Sequence, residues 1–98
     1  MNEPIYRFFR GRYTNAWHQL TQSEKDQLFA EMGKAFQASG GQSVVPACYT
    51  CWSSDWHVFG VEVYPSLEAV QKWRDTMERM GCFQYLEIES MIGIQPAN

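Results

Sequence analysis

The amino-acid sequence predicts one α+β domain in which four strands and two helices follow the order strand, helix, strand, strand, helix, strand. Two stretches carry apolar residues at helical spacing and end at glycines. Four stretches rich in aromatic and β-branched residues surround them. The 98 residues fit a single domain, 1–98, and a chain that is 45% hydrophobic and 15% aromatic is not intrinsically disordered.

The first strand is predicted over Pro4–Gly11, where aromatic residues dominate. Side chains alternate along a strand, so Arg7 and Arg10 lie on opposite faces. Arg7 is nearer the middle of the strand, and burying a charge there under a helix costs free energy. We therefore expect Arg7 on the open face of the sheet, with Tyr6 and Phe8 under the helices. If Arg7 lies beneath the helices instead, Arg10 takes its place on the open face.

The first long helix follows a connection over Arg12–Leu20 that has room for a short helical turn. Thr21-x-x-Glu24 is typical of a capping box, with Ser23 as a competing cap. Gly40-Gly41 ends the helix. Its apolar stripe consists of Leu28, Phe29, Met32, Ala35 and Phe36.

A hairpin is predicted from a second strand, Gln42–Trp52, and a third strand, Trp56–Pro65. Pro46 cannot donate a ladder hydrogen bond, so the second strand belongs at an edge or contains a bulge. On the third strand we expect Glu62 and Tyr64 on the open face. The residues expected under the helices are Phe59, Val61 and Val63.

The second long helix begins after Ser66 and closes at Gly81. Its buried stripe is Leu67, Val70, Trp73, Met77 and Met80. A fourth strand follows over Gln84–Ile94. The residues expected under the helices are Leu86, Ile88 and Ile92, and those expected on the open face are Glu87, Glu89 and Met91.

This βαββαβ order is that of the ferredoxin-like arrangement, an antiparallel four-stranded sheet with both helices on one face. We expect strands one and three at its centre, parallel to each other. The open face then carries more large apolar groups than a solvent-exposed face needs, which indicates an interface or a ligand site. A homodimer in which two open sheet faces pack together would cover them.

Three segments, FFRGRYTNAWHQL, WHVFGVEVYPSLEAVQKW and YLEIESMIG, resemble small uncharacterised members of the dimeric α/β-barrel superfamily. The resemblance implies two ferredoxin-like sheets paired into a barrel with an interior pocket. The superfamily includes cyclases, isomerases, monooxygenases and ligand-sensing domains, so the fold leaves the chemistry open.

Composition excludes several classes of partner. The net charge is −3, with no basic stripe for nucleic acid. No apolar run approaches the ~20 residues of a membrane span, and the N-terminal residues do not resemble a signal peptide. Three cysteines are an odd number and a poor disulfide framework. We therefore expect a reduced, cytoplasmic protein that binds neither nucleic acid nor membrane.

The candidate catalytic residues are Glu62, Glu87 and Glu89. Strand pairing can bring carboxylates close to one another, which raises the pKa of one of them and makes it an acid or base near neutral pH. It can also bring them near Arg7, which would orient an anionic ligand. Tyr64 would donate a hydrogen bond to a ligand. The alternative is a partly solvated ion-pair network within a dimer interface.

Two further residues are candidates for the border of the pocket: Trp56 at the start of the third strand, and His18 in the connection after the first, where exposure at the surface is the favoured alternative. We expect no metal site and no cofactor. Two histidines are too few for a convincing ligand set, and Cys48-x-x-Cys51 places its thiols on opposite faces of a strand.

These residues suggest a small-molecule-binding protein that could be a cofactor-free acid/base enzyme. A small aromatic or polyketide-like substrate is implied by the resemblance alone. The alternative is a non-catalytic homodimeric binding or interaction module.

Overall fold

The computed structural model describes residues 3–53 and 55–97. The predicted element order is confirmed, with a short additional helix in the first connection and a 3₁₀ turn before the last strand. The elements are β1 (Ile5–Tyr13), α1 (Asn15–His18), α2 (Gln22–Ala38), β2 (Gln42–Tyr49), β3 (Val58–Tyr64), α3 (Leu67–Arg79), the 3₁₀ turn (Cys82–Gln84) and β4 (Leu86–Gly93).

The four strands form one open antiparallel sheet in the order β2-β3-β1-β4. Strands β1 and β3 are central, as predicted, but they run antiparallel, so the expectation that they are parallel was wrong. A helical crossover leaves β1 and β2 pointing the same way, and the hairpin then reverses β3. Strand β2 is at an edge, and its register shifts on both sides of Val45, next to Pro46.

The helices cover the face of the sheet that was predicted to be open on β1 and β3. Tyr64 is 1% exposed and lies between the rings of Phe36 on α2 and Trp73 on α3. Arg7 is on this same face and is 2% exposed. The predicted facing of β1 and β3 was therefore wrong. The residues that lie on the open face instead are Tyr6, Phe8, Phe59, Val61 and Val63.

Strand β4 faces as predicted. Leu86 and Ile88 share the covered face with Tyr13 and Gly11 of β1, whereas Glu87 lies opposite Arg12 on the open face. The alternation also places Glu89 and Met91 on the open face.

Side-chain caps fix both long helices. Thr21 Oγ1 accepts a hydrogen bond from the Glu24 N–H at 3.1 Å, and Glu24 Oε1 accepts one from the Thr21 N–H at 2.8 Å. The predicted capping box is thus confirmed, and Thr21 rather than Ser23 is the cap. The hydroxyl of Ser66 caps α3 by accepting a single hydrogen bond from the Ala69 N–H at 3.2 Å.

The two helices pack unequally against the sheet. Helix α3 buries Val70, Trp73 and Met77 in the core. Helix α2 buries only Ala35, and its Phe29 remains 43% exposed. Space is therefore left between α2 and the sheet.

Candidate functional site

A cavity of about 340 Å³ lies between the sheet and α2, and we call it the α2 cavity. Helix α2 contributes one wall, and the covered face of β1 and β3 contributes the floor. Arg7 and Glu62 are the two charged residues among those that line it. Its other walls are mainly aromatic and aliphatic, and they include Phe9, Tyr13, Phe29, Met32, Phe36, Val58 and Trp73.

Arg7 and Glu62, which line the cavity, belong to a cluster of four polar side chains that also includes Tyr64 and Ser90. Glu62 Oε1 accepts hydrogen bonds from Arg7 Nη2 at 2.8 Å, Arg7 Nε at 3.1 Å and the Tyr64 hydroxyl at 2.8 Å. Arg7 Nη1 donates to the Ser90 hydroxyl at 2.6 Å. Antiparallel pairing explains the contact, because Arg7 and Glu62 are directly opposite each other on β1 and β3.

The two oxygens of the Glu62 carboxylate differ in their surroundings. All three protein donors bond to Oε1, and Oε2 receives no hydrogen bond from any residue the structure describes. The carboxylate is therefore held by one oxygen, while the other is available to a molecule in the cavity.

Aromatic rings hold the Arg7 guanidinium in place. Its central carbon lies 4.1 Å from the centroid of the Trp73 ring and 4.8 Å from that of Phe9. The Phe9 ring crosses β3 over Gly60, where an added Cβ would come within 2.7 Å of the ring. Only glycine leaves the room that this arrangement needs.

The Tyr64 hydroxyl is a hydrogen-bond donor to the Glu62 carboxylate. Burial, and secondarily the charge of Glu62, raise the pKa of the Tyr64 phenol far above its usual value. Its hydroxyl therefore stays protonated and donates to Glu62 Oε1. The hydrogen bond that was expected to reach a ligand thus orients Glu62 in this structure.

The other predicted carboxylates lie on the opposite face of the sheet. Glu89 Oε1 accepts from Arg10 Nη2 at 2.6 Å, and Glu87 Oε2 accepts from Arg12 Nε at 2.7 Å. Trp56 packs against both arginines, whose central carbons are 4.4 and 4.8 Å from its ring. The structure therefore separates these residues from Glu62, which is half-buried on the covered face.

His18 ends α1 with an exposed side chain and is not among the residues lining the cavity. Sequence reasoning missed an aromatic stack beside the cavity. Tyr13 lies between Trp17 and His57, with ring centroids 4.7 and 5.5 Å away, and its N–H donates to His57 Nδ1 at 3.0 Å. The signal was present, because extending strand one by two residues brings Tyr13 onto the face of Arg7.

Within residues 3–53 and 55–97, no three histidine, cysteine or acidic side chains gather as a metal site would require. The three cysteines, Cys48, Cys51 and Cys82, are unpaired thiols. None of the helices in this part of the chain has the length and apolar character that a membrane crossing requires.

Neither protein-family models nor curated proteins give a match to this sequence. Solved structures do match its fold. The hydroxynitrile lyase from Passiflora edulis aligns over 100% of this chain and 98% of its own, with a TM-score of 0.65 and 13% identity. A hypothetical protein from Arabidopsis thaliana aligns over 98% and 91%, with a TM-score of 0.60 and 9% identity.

SnoaB, a cofactor-independent oxygenase from Streptomyces nogalater, aligns over 98% of this chain and 96% of its own, with a TM-score of 0.55 and 9% identity. At such identities the similarity concerns the fold. The predicted ferredoxin-like α+β architecture is confirmed.

Proposed function

We propose that this protein binds a small, largely apolar molecule in the α2 cavity and that Glu62 takes a proton from it. The step uses the protein's own carboxylate as the base, so it needs no cofactor. Arg7 and Tyr64 are positioning residues that hold the carboxylate by one oxygen. The aromatic walls bind and orient the substrate.

One observation carries the proposal: Oε1 of Glu62 receives all three hydrogen bonds while Oε2 has no partner among the described residues. Positioned donors fix the orientation of the base before the substrate arrives, which removes an entropic cost from the reaction. The apolar walls limit the water that would otherwise solvate the carboxylate.

The lining of the cavity favours a neutral aromatic substrate. Within the α2 cavity an anionic substrate would face the Glu62 carboxylate, whose negative charge would repel it. The matching structures include a hydroxynitrile lyase and a cofactor-independent oxygenase. Acid/base chemistry on a small neutral molecule is compatible with both activities.

Nitrobenzisoxazole is a suitable probe, because it is neutral, aromatic and opens to a coloured phenolate when a base removes its ring C–H proton. We expect Glu62→Gln to lower kcat/KM for this ring opening by at least about 100-fold, the contribution of a positioned base. Glu78→Gln removes an exposed carboxylate from α3 and serves as the matched control. It should leave the rate unchanged.

The same assay tests the open-face carboxylates. A large loss in Glu87→Gln or Glu89→Gln, with Glu62→Gln unaffected, would contradict the proposal. So would a wild-type protein that neither binds nor turns over the probe.

We also propose that the protein forms a homodimer through the open face. Phe59 and Met91 are 36% and 68% exposed there, beside the Arg10–Glu89 ion pair. A stable interface covers about 800 Å² on each partner, and apolar groups at its centre supply most of the driving force. Native mass spectrometry should detect a dimer that Met91→Lys weakens, and a monomeric wild-type protein would refute it.

A non-catalytic homodimeric module is the second candidate function, and the ion pairs of the open face favour it. They lie among exposed apolar groups, where they can specify the partner and its orientation. A stable dimer that retains no small molecule and does not act on the probe would support this alternative.

A further inference from the structure

A second concavity lies on the other side of Trp73, between α3 and β4, and we call it the α3–β4 cleft. Its volume is about 590 Å³. It shares Arg7, Trp73, Leu86 and Ile88 with the α2 cavity, so these four side chains form part of the partition between the two spaces. The residues that matter for its chemistry are Arg7, Arg74, Ser90, Val70, Phe83 and Ile92.

We propose that the α3–β4 cleft binds a small amphipathic carboxylate, whose charged group contacts Arg7 and Arg74. Its apolar body would lie against Val70, Phe83 and Ile92. This site goes beyond the proposed function and uses the opposite side of the partition.

The hydrogen bonds of Arg7 leave part of its donor capacity unused. A guanidinium has five N–H donors. Nε and Nη2 each donate to Glu62, and Nη1 donates to Ser90. One N–H on each terminal nitrogen therefore has no partner among the described residues. Two N–H groups on the same planar guanidinium match the two oxygens of a carboxylate.

Arg74 supplies positive charge that no described residue neutralises. Arg7, Arg10 and Arg12 each pair with a glutamate, and Arg79 donates to Thr76. Arg74 makes no hydrogen bond or ion pair with any residue in the described part of the chain. Its side chain is exposed on α3 and lines the cleft.

The acidic residue that lines the cleft does not cancel this charge. Glu87 is there, but its Oε2 accepts a hydrogen bond from Arg12 Nε at 2.7 Å. Apolar side chains make up most of the remaining wall, which favours a carboxylate with an apolar body over inorganic phosphate. The ring of Trp73, 4.1 Å from the central carbon of Arg7, keeps the guanidinium in position.

The test is calorimetric titration with benzoate, with benzamide as a neutral probe of the same shape. We expect the wild-type protein to bind benzoate more tightly than benzamide, by a margin that shrinks as salt is added. Arg74→Gln should weaken benzoate binding about threefold to tenfold, as loss of one partly exposed charged contact would. Arg79→Gln, on the same helix outside the cleft, should not change it.

A second variant tests the Arg7 side of the cleft. Ser90 is exposed, so Ser90→Asp should fold, and its carboxylate would place a negative charge beside Arg7 that repels the ligand and competes with it for the remaining N–H groups. We expect at least a tenfold loss of benzoate affinity, with an unchanged far-ultraviolet circular dichroism spectrum.

Glu62→Gln separates this inference from the proposed function. It should abolish proton abstraction but tighten benzoate binding, because Arg7 would lose its countercharge. Equal binding of benzoate and benzamide would overturn the inference, as would unchanged affinity in both Arg74→Gln and Ser90→Asp. Loss of benzoate binding in Glu62→Gln would also overturn it.

Discussion

Replacing Arg7 by methionine tests the buried ion pair on which the candidate site depends. The change removes three hydrogen bonds, two to Glu62 and one to Ser90. It also leaves the Glu62 carboxylate, whose side chain is only 16% exposed, without its countercharge. Breaking one side of a buried pair costs about 3–5 kcal/mol in the free energy of unfolding. For a domain of this size, that is roughly a 15–30 °C fall in Tm.

Arg10→Met is the matched control, because Arg10 lies on the same strand and pairs with Glu89 in the same manner. The side chains of Arg10 and Glu89 are 41% and 58% exposed, and Arg10 Nη2 lies 2.6 Å from Glu89 Oε1. Exposed pairs of this kind contribute about 0–1 kcal/mol. Urea denaturation of both variants at neutral pH, followed by circular dichroism, gives the two free energies directly. We expect Arg7→Met to cost at least about 2 kcal/mol more.

A double variant distinguishes loss of the pair from loss of packing. Glu62→Gln in the Arg7→Met background removes the unpaired charge and should recover part of the lost stability. Equal costs for Arg7→Met and Arg10→Met would refute the reasoning, because they would mean that the two arginines have similar surroundings. A cost below about 1 kcal/mol for Arg7→Met would do the same.

Four further experiments, three with variants and one with a thiol reagent, test separate parts of the structure. Tyr64 has a pKa raised above the unfolded value of about 10, so its stabilising contribution is complete below pH ~10 and is lost as the pH rises further. Urea midpoints should therefore fall more steeply above pH ~10 in the wild-type protein than in Tyr64→Phe. Burial raises the pKa of the Cys82 thiol, so a thiol reagent should modify the exposed Cys51 rapidly and Cys82 only after unfolding. Equal rates would contradict the burial. Gly60→Ala should displace the aromatic ring above it and cost about 1–3 kcal/mol in thermal unfolding, with a changed affinity for the neutral probe. Thr21→Ala should cost about 1 kcal/mol by loss of the capping box, and a neutral effect would refute that role.

The fold was largely predictable because its signals are local. Hydroxyl caps, terminal glycines and apolar stripes fix where the helices begin and end, and these depend on residues close in sequence. Pro46 identified the edge strand for the same reason: a missing N–H can be recognised in the sequence itself. The boundaries near Trp52 and Trp56 were less predictable. Strand β2 ends at Tyr49 and β3 begins at Val58, although the pairing continues for one more hydrogen bond, from the Thr50 N–H to the His57 carbonyl at 3.0 Å.

The facing of the central strands could not be predicted from side-chain alternation and the cost of burying one arginine. Alternation shows which residues share a face, but it does not show which face the helices cover. The prediction for Arg7 treated its charge as isolated, and an isolated buried charge is indeed costly. The cost is offset here by Glu62, which lies directly opposite Arg7 on the neighbouring strand, so the two charges are taken under the helices as a pair.

The corrected facing also changes how the candidate site relates to the proposed dimer. The prediction put all the carboxylates on one surface, so any change to them would affect chemistry and assembly together. The structure divides them, with Glu62 under the helices and Glu87 and Glu89 on the open face. Substitutions at Glu89 should therefore alter dimer stability, and substitutions at Glu62 should alter proton transfer. Because the sheet separates the two sets of side chains, each can be changed while the contacts of the other are retained.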